Sequence, residues 1–514
     1  MPGSWRRADG RRGRRSATLG VDVAGALNLV AALLRYLSLT FLFPAALALG
    51  YGDPVWPFLV SGGVTALAGL AIGAVTRGRE RIGPREGFLV ASLIWLLVPA
   101  FGGLPFLLAE PQLANPVNAY FESVSGFTAT GATVLTDIDA LAPSMAMWRQ
   151  TSHWLGGMGI IVLAVAILPR LRVGGRQLLE TELAGPQELE RLGASIRETA
   201  RRLWSLYVAL TVIAILALAA LGWSGADPAM NLYEATAHAF SALALGGFST
   251  KSQSMAAFAP VTQWVVLLFI VLAGINFLRL YRLFVQRHVA VVARDEELRL
   301  YLAFLLAGSV LLLVEVLSAG IASGEAAIRI SAFHAVSIMT TTGFAVADYT
   351  TWGVLALMTL FALMFIGASA GSTGGSIKVV RHLLLFRVVR RELDQTVHRE
   401  VVVPVRLNGI VVDERALRSL VVFVAVYVAV FVLASVGLAI DERRLEVGLG
   451  PFDAMGAVAA CLANIGPGFG FAGPFGSYAP FSDLSTGILT AVMWLGRLEI
   501  IPVAVLLSRT YWRP

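Results

Sequence analysis

The sequence predicts an all-α polytopic membrane protein in which an N-terminal helical pair precedes four pseudo-symmetric repeats, each a helix, a short helix, a glycine-containing loop and a second helix. Three observations predict it. Of 514 residues, 57% are hydrophobic and only 14% charged, and apolar runs near the ~20 residues needed to span a bilayer recur from end to end. Arg-rich blocks fall between alternate apolar runs, as cytoplasmic loops do. A polar, glycine-bearing stretch that cannot itself span recurs four times between an inbound and an outbound run. A soluble multidomain protein does not fit this composition.

Taken in order, residues 1–20 ("MPGSWRRADGRRGRRS" and onward) are a basic tail expected on the cytoplasmic side. No small-residue cleavage site follows the first apolar run, so that run is read as an uncleaved helix. Apolar runs lie at about 26–49, 55–75, 88–108, 154–169, 203–222, 260–279, 300–320, 353–370, 417–440 and 485–507, which makes about ten spanning helices. The basic connections are 77–85, 170–202, 279–299, 378–406 and the C-terminal "SRTYWRP". The resulting division is a two-helix domain over 21–80 and repeats over 81–195, 196–292, 293–405 and 406–514, with both termini cytoplasmic.

The net charge of +7 is almost wholly Arg, since Lys occurs only at Lys251 and Lys378. Nucleic-acid binding is the tempting inference, but membrane topology explains the clusters better, and no nucleic-acid partner is expected. The single Cys461 excludes an intramolecular disulfide and a cysteine metal cluster, and reads as a small buried hydrophobe.

Parity fixes what the polar stretches do. Between the basic loops at 77–85 and 170–202 lie two clear spans and "FESVSGFTATGATVL" (121–135). Both loops belong inside, so segment 116–135 must enter and leave by one face, as a re-entrant loop. Such backbone is tolerated at membrane depth only where it is buried in protein or lines a watery cavity. The pattern repeats at 233–250, 333–349 and 452–470. In each, an aromatic residue followed by Glu, His or Asp opens a short helix that ends at a glycine: Phe121 to Gly131, Tyr233 to Gly246, Phe333 to Gly343 and Phe452 to Gly466. Glu122, Glu234 and Asp453 are read as acids at helix starts, favoured there by the helix dipole, with attraction of cations to the mouth as an equal alternative.

A desolvated monovalent cation needs several oxygens that replace its hydration shell, and carbonyls of re-entrant loops supply them. Glycine permits the backbone conformations this requires. A lone "TTTG" is ordinarily a glycine ending a helix. Four such stretches in matched units, "TATG" (128–131), "LALG" (243–246), "TTTG" (340–343) and "ANIG" (463–466), read instead as four walls of one filter around one pore.

These loops, with "WLGGMGIIVLAVAILP" (154–169), "GSTGGSIKVVR" (371–381), "NIGPGFG" (464–470) and "LGRLEIIPV" (495–503), resemble the TrkH/TrkG branch of the Trk/Ktr/HKT superfamily of cation transporters over nearly the whole chain. The resemblance implies potassium uptake through a channel-like pore. It implies K⁺ coordination by carbonyls at Ala129, Thr130 and Gly131 after Thr128, at Ala244, Leu245 and Gly246, at Thr341, Thr342 and Gly343, and at Asn464, Ile465 and Gly466. A Ser at the first-repeat glycine goes with Na⁺ preference in HKT relatives, so Gly131 favours K⁺. Ala129, Ala242 and Ala463 depart from the family's usual residues, which main-chain coordination tolerates. The resemblance also implies a homodimer, a cytosolic TrkA-type ring of nucleotide-binding domains, and placement in a bacterial cytoplasmic membrane. No phosphate-cradling motif occurs in this chain, so no bound nucleotide is expected.

The stretch Gly367, Ala368, Ser369, Ala370, Gly371, Ser372, Thr373, Gly374 and Gly375 is too rich in Gly and Ser for a helix interior in lipid. One reading is close helix packing through small residues; the other, which the resemblance favours, is an unwound gate across the pore. Arg497 falls inside the last apolar run, where a central Arg costs ~2.5–3.5 kcal/mol to insert. It is read either as a structural partner of Glu499 or of a helix-end carbonyl, or as a positive charge beneath the filter acting with the gate. Lys378 and Arg381 mark a cytoplasmic boundary. An enzyme would need paired carboxylates, a nucleophile with its base, or a metal cluster; no such set appears, and Glu180, Glu182, Glu188 and Glu190 read as a solvated surface. An organic-solute carrier would need broken helices and a ligand pocket at the midplane, which four equivalent loops do not suggest. Within transport, a Na⁺-conducting or a K⁺/Na⁺- or K⁺/H⁺-coupled relative is the alternative.

Overall fold

The computed structural model describes residues 21–77, 83–166, 196–398, 400–445 and 448–513. The tail over 1–20, most of the connection at 77–85, and the segment carrying Glu180, Glu182, Glu188 and Glu190 lie outside the described residues.

Helices α1 (Val23–Thr40) and α2 (Leu42–Tyr51) run on as one apolar span, and α3 (Trp56–Val75) packs back on α1. Asp22 caps α1 by accepting from the Gly25 amide at 3.0 Å, and Gly52 ends α2 in the left-handed conformation. The first unit follows as α4 (Pro84–Gly102) continuing into α5 (Leu104–Ala109), short α6 (Pro116–Phe127) and α7 (Pro143–Ala166). The second is α8 (Ile196–Trp223), short α9 (Leu232–Ala244) and α10 (Pro260–Ala273), after which the chain bends through α11 (Phe277–Phe284) and α12 (Val289–Ala293). The third is α13 (Glu296–Ser318), α14 (Gly324–Met339), α15 (Val354–Met364) and, beyond a non-helical stretch, α16 (Val379–Val397). A hairpin of β1 (Arg406–Leu407) and β2 (Ile410–Val411) turns at Asn408 and Gly409, both with positive φ, as a two-residue loop requires. The fourth unit is α17 (Glu414–Leu445), short α18 (Pro451–Leu462) and α19 (Asp483–Arg497), followed by α20 (Ile501–Leu507) and α21 (Arg509–Trp512). Proline stands at the first residue of α4, α6, α7, α10 and α18, where its missing N–H has no helical partner to lose.

Packing closes these units into a circle. Each short helix lies between the long helices of its own unit: α6 between α4 and α7, α9 between α8 and α10, α14 between α13 and α15, α18 between α17 and α19. Each also packs on the outgoing helix of a neighbouring unit: α9 on α7, α14 on α10, α18 on α15, and α6 on α19. The last contact joins the end of the chain to its beginning. The short helices are buried within this ring, while Leu59 and Leu67 on α3, Ile213 and Leu216 on α8, Leu306 on α13 and Leu433 on α17 are exposed. Exposed apolar surface on that scale belongs against lipid rather than water. The chain is a multi-pass membrane protein.

Not all ten apolar runs are single continuous helices. Among the described residues six helices are long and apolar enough to cross, and eight if each bent pair counts as one span. Run 260–279 breaks between α10 and α11 with a bend of 106°, and run 485–507 between α19 and α20 with a bend of 112°. Run 353–370 is helical only over Val354–Met364. The helix expected at 154–169 begins at Pro143, and its first half carries Arg149, Gln150, Thr151, Ser152 and His153, all buried. A helix packed inside the ring has no lipid to satisfy and need not be apolar.

Candidate functional site

The four short helices end in one way. After α6 the Ala129 amide donates to Gly126 O (3.0 Å) and Thr130 to Ser125 O (2.9 Å); after α9, Leu245 donates to Ala242 O (3.1 Å) and Gly246 to Ser241 O (3.0 Å). After α14, Thr341 donates to Ile338 O (3.1 Å) and Thr342 to Ser337 O (2.8 Å); after α18, Asn464 donates to Cys461 O (3.2 Å) and Ile465 to Ala460 O (2.8 Å). The first donor of each set is left-handed, with φ of 51° at Ala129, 54° at Leu245, 64° at Thr341 and 56° at Asn464. Two residues on stands a glycine that is also left-handed: Gly131 (86°), Gly247 (79°), Gly343 (83°) and Gly466 (100°). Left-handed backbone at non-glycine residues costs on the order of 1–3 kcal/mol each and persists only where the surroundings impose it.

This register corrects the second loop. The glycine equivalent to Gly131 is Gly247, not Gly246; Leu245 matches Ala129, Gly246 matches Thr130, and Ala244 matches Thr128. The aromatic residue that opens each stretch is not an equivalent landmark, because α9 reaches Gly247 from Tyr233 over one more helical turn than α6 reaches Gly131 from Phe121.

The loops meet in chain order. A Cβ on Gly131 would run into the Gly246 carbonyl, one on Gly247 into Thr342 O, one on Gly343 into Ile465 O, and one on Gly466 would come within 2.6 Å of Thr130 O. Thr130, Gly246, Thr342 and Ile465 are structurally equivalent, so their carbonyls form a closed tier. Glycine is required at its four joints for two reasons, the positive φ and the backbone carbonyl lying where a side chain would go. The hydroxyls of Thr128 and Thr130 lie 2.6 Å apart and those of Thr340 and Thr342 2.7 Å apart, while Asn464 Nδ2 donates to Thr130 Oγ1 at 2.9 Å. Where the chain leaves the loops, all four contribute to one cup lined by Gly131, Thr133, Gly247, Phe248, Gly343, Gly466 and Pro467, with Arg149 and Lys251 on its wall. Hard neutral oxygens in a ring suit a stripped monovalent cation. Among the described residues no group of three or more His, Cys, Asp or Glu is placed to hold a metal ion.

The supports of the loops were only partly foreseen. Glu122 does not open its helix: α6 starts at Pro116, and Glu122 lies in its middle, fully buried. Its carboxylate accepts from Arg149 Nε at 2.8 Å, Thr133 Oγ1 at 3.0 Å and the Val134 amide at 3.1 Å. Nine residues before the loop glycine, the equivalent positions hold His238, whose Nε2 lies 2.9 Å from Ser249 Oγ, and His334, whose Nε2 lies 3.1 Å from Ala347 O. In the fourth unit that position is Ala457, and Tyr478 instead donates to Gly466 O at 2.7 Å. Glu234 and Asp453 do lie in the first turns of their helices.

Directly below the tier lies the non-helical stretch between α15 and α16. Thr373 Oγ1 donates to Leu243 O at 3.0 Å, and the Gly375 amide to Thr341 Oγ1 at 2.7 Å. A Cβ on Gly374 would come within 2.8 Å of Thr340 O, and one on Gly375 would strike Ala463 O. The stretch therefore abuts the ends of α9, α14 and α18. Gly367 and Ser369 through Gly371 anchor it: the Ser369 amide donates to Gly274 O (3.0 Å), Ala370 to Glu297 Oε1 (2.6 Å), and the Phe277 amide to Gly371 O (3.1 Å). Ala368, Ser369, Ala370, Ser372 and Thr373 are buried.

Arg497 ties this stretch to α7. It lies not at the centre of a straight span but in the last turn of α19, ahead of the bend where Glu499 and Ile500 adopt positive φ. Its Nη1 donates to Thr373 O at 3.0 Å and its Nη2 to Gly156 O at 3.2 Å, and a Cβ on Gly156 would strike Phe127 O at the end of α6. Glu499 pairs with Arg381 rather than Arg497. Lys378, read as a boundary residue, is buried and donates to Gly374 O. Arg149 was missed altogether; the one signal was an Arg within the polar run "MWRQTSHW" opposite a Glu on a short helix.

Comparison with known proteins adds to this geometry. A sequence profile of the family described as TrkH, cation transport protein, matches residues 65–513. The Trk system potassium uptake protein TrkH of Halomonas elongata is 36% identical over 493 residues, covering 95% of this chain and 98% of that protein. The protein of the same name from Salmonella typhimurium is likewise 36% identical over 493 residues, with the same coverage. The crystal structure of the potassium transporter TrkH from Vibrio parahaemolyticus superposes with a TM-score of 0.85 at 33% identity, covering 96% of this chain and 100% of that one.

Proposed function

The chain belongs to the TrkH family of cation transport proteins, a family of transporters rather than enzymes, and from that premise we propose that it takes up K⁺ across a bacterial cytoplasmic membrane through a channel-like pore. The observation that carries the reading is the closed tier of equivalent carbonyls from Thr130, Gly246, Thr342 and Ile465. A ring of main-chain oxygens replaces water around a K⁺ ion without a fixed counter-charge to trap it. The carbonyls of Ala129, Gly131, Leu245, Gly247, Thr341, Gly343, Asn464 and Gly466 continue the same path, with Thr128 and Ala244 at its inner end. Residues Gly367 to Gly375 act as the gate and Arg497 latches it by holding Thr373 O. Opening requires that stretch to leave the ends of the short helices.

The chain is the translocating subunit of a Trk-type system. It works as a homodimer, with a cytosolic nucleotide-binding ring of the TrkA type acting on its cytoplasmic loops, both termini lie in the cytoplasm, and the repeats divide at 81–195, 196–292, 293–405 and 406–514. Flux of K⁺, Rb⁺ and Na⁺ into proteoliposomes tests the central claim. Passage of K⁺ and Rb⁺ with Na⁺ lagging supports it. No cation flux from folded protein supplied with its regulator, and with the gate stretch shortened, would refute it.

A further inference from the structure

Among the supports of the tier, one is chemically unlike the rest. Glu122 and Arg149 are both fully buried, and a buried ion pair is a poor stabilising device, since apolar residues of similar volume often do as well or better. The pair is better explained by what its planar fork connects. Arg149 Nε and Nη2 both reach Glu122 Oε1 at 2.8 Å, Nη1 donates to Ser249 O at 3.2 Å, and Nη2 approaches Thr133 Oγ1 at 3.4 Å. The guanidinium also lies 3.9 Å from the centre of the Phe248 ring. Glu122 in turn fixes Thr133 and Val134. Thus residues just beyond Gly131 and residues just beyond Gly247 are tied to one rigid group. At the other three junctions the bonds between walls include uncharged ones: Ala345 N to Ser254 Oγ at 3.2 Å, Tyr349 Oη to Gly468 O at 3.1 Å, and, between the fourth wall and the first, Asn464 Nδ2 to Thr130 Oγ1 at 2.9 Å and Tyr478 N to Thr133 O at 2.8 Å. A lysine, as a point charge on a flexible stem, cannot hold these acceptors together.

We infer that Arg149, held by Glu122, is a positioning residue that fixes the first wall of the tier against the second and so sets discrimination between K⁺ and smaller cations. The inference rests on the filter reading of the tier. It is tested with the full chain in proteoliposomes by comparing Rb⁺ and Na⁺ flux in Arg149→Lys, in the double variant Glu122→Met with Arg149→Met, and in Thr133→Val, with Gly131→Ser as the report on the filter itself. Arg149→Lys and the double variant are expected to lower the Rb⁺/Na⁺ flux ratio about tenfold, as loss of a coupled network does, and Thr133→Val about threefold. A purely structural role would lower both fluxes together and leave their ratio alone. If the charged variant fails to fold, the double variant and Thr133→Val decide. A folded double variant, or a folded Thr133→Val, with the wild-type ratio overturns the inference. If Gly131→Ser also leaves the ratio unchanged, the filter reading itself fails; if Gly131→Ser lowers it and the others do not, the inference alone fails.

Discussion

The register of the second loop makes a sharp prediction about two adjacent glycines. Gly247 is left-handed at 79°, and a Cβ there would strike the Thr342 carbonyl, a backbone atom that can yield only by disturbing the tier. Gly246 is not left-handed, and a Cβ there meets the imidazole of His153, a side chain. For Gly247→Ala the left-handed backbone alone costs ~1–2 kcal/mol, which at tenfold per 1.4 kcal/mol lowers occupancy of the conducting geometry roughly five- to thirtyfold. Displacement of the carbonyl adds to this. Gly246→Ala carries no such backbone penalty, and trimming its obstacle should relieve it. Rb⁺ flux is measured in proteoliposomes for each variant alone and in a His153→Ala background, referred to His153→Ala itself. Flux in Gly246→Ala should recover in that background, and flux in Gly247→Ala should not. Recovery of Gly247→Ala by His153→Ala, or wild-type flux in folded Gly247→Ala, would refute the assigned register.

Other consequences can be checked in parallel. Gly131→Ser, at a joint where any side chain meets the Gly246 carbonyl, should weaken discrimination against Na⁺ with the fold retained, read as a lower K⁺/Na⁺ flux ratio. Arg497→Gln removes hydrogen bonds from a charged donor to Thr373 O and Gly156 O; bonds of that kind contribute ~1.5–3 kcal/mol each, so regulator-independent flux should rise about tenfold or more, and unchanged flux in folded protein counts against the latch. Cys461 is fully buried, so a maleimide should label the protein only after denaturation; labelling of native protein would show that the end of α18 opens.

Much of the site was legible because its chemistry is repetitive. A glycine after a short polar helix, met four times in matched surroundings, exposes a pattern that no single occurrence carries, and the Gly- and Ser-rich stretch at 367–375 stands out against lipid-compatible sequence. The second register was not legible. "LALGG" offers two glycines, and only the backbone, with Leu245 left-handed and Gly246 donating to Ser241 O, shows which is the joint. The bends at 274–276 and 498–500 were masked by hydropathy that runs on across them. Arg149 was hidden for another reason: its partner lies 27 residues away on a different helix, and long-range ion pairs leave no local periodicity.

The arrangement also gives a reason for a fixed cation under the proposed ion path. All four short helices end at the tier, so their C-terminal carbonyls, the negative ends of their dipoles, converge on the space below it. That space favours positive charge. In this structure it is occupied by the stretch through Thr373, which gives one hydrogen bond to Leu243 O at the end of α9, and by Arg497, which donates to the main-chain oxygens of Thr373 and Gly156 and lies over the Trp95 ring. On the proposed pore, Arg497 occupies ground that would otherwise favour a permeating ion, and Thr373 O is one of the two main-chain acceptors that hold it there. If the stretch is the gate proposed above, moving it aside removes both the obstruction and the hydrogen bond from Arg497 to Thr373 O. On the proposed gating, steric and electrostatic closure are one event, and a regulator would need to move only the segment between α15 and α16 to release both.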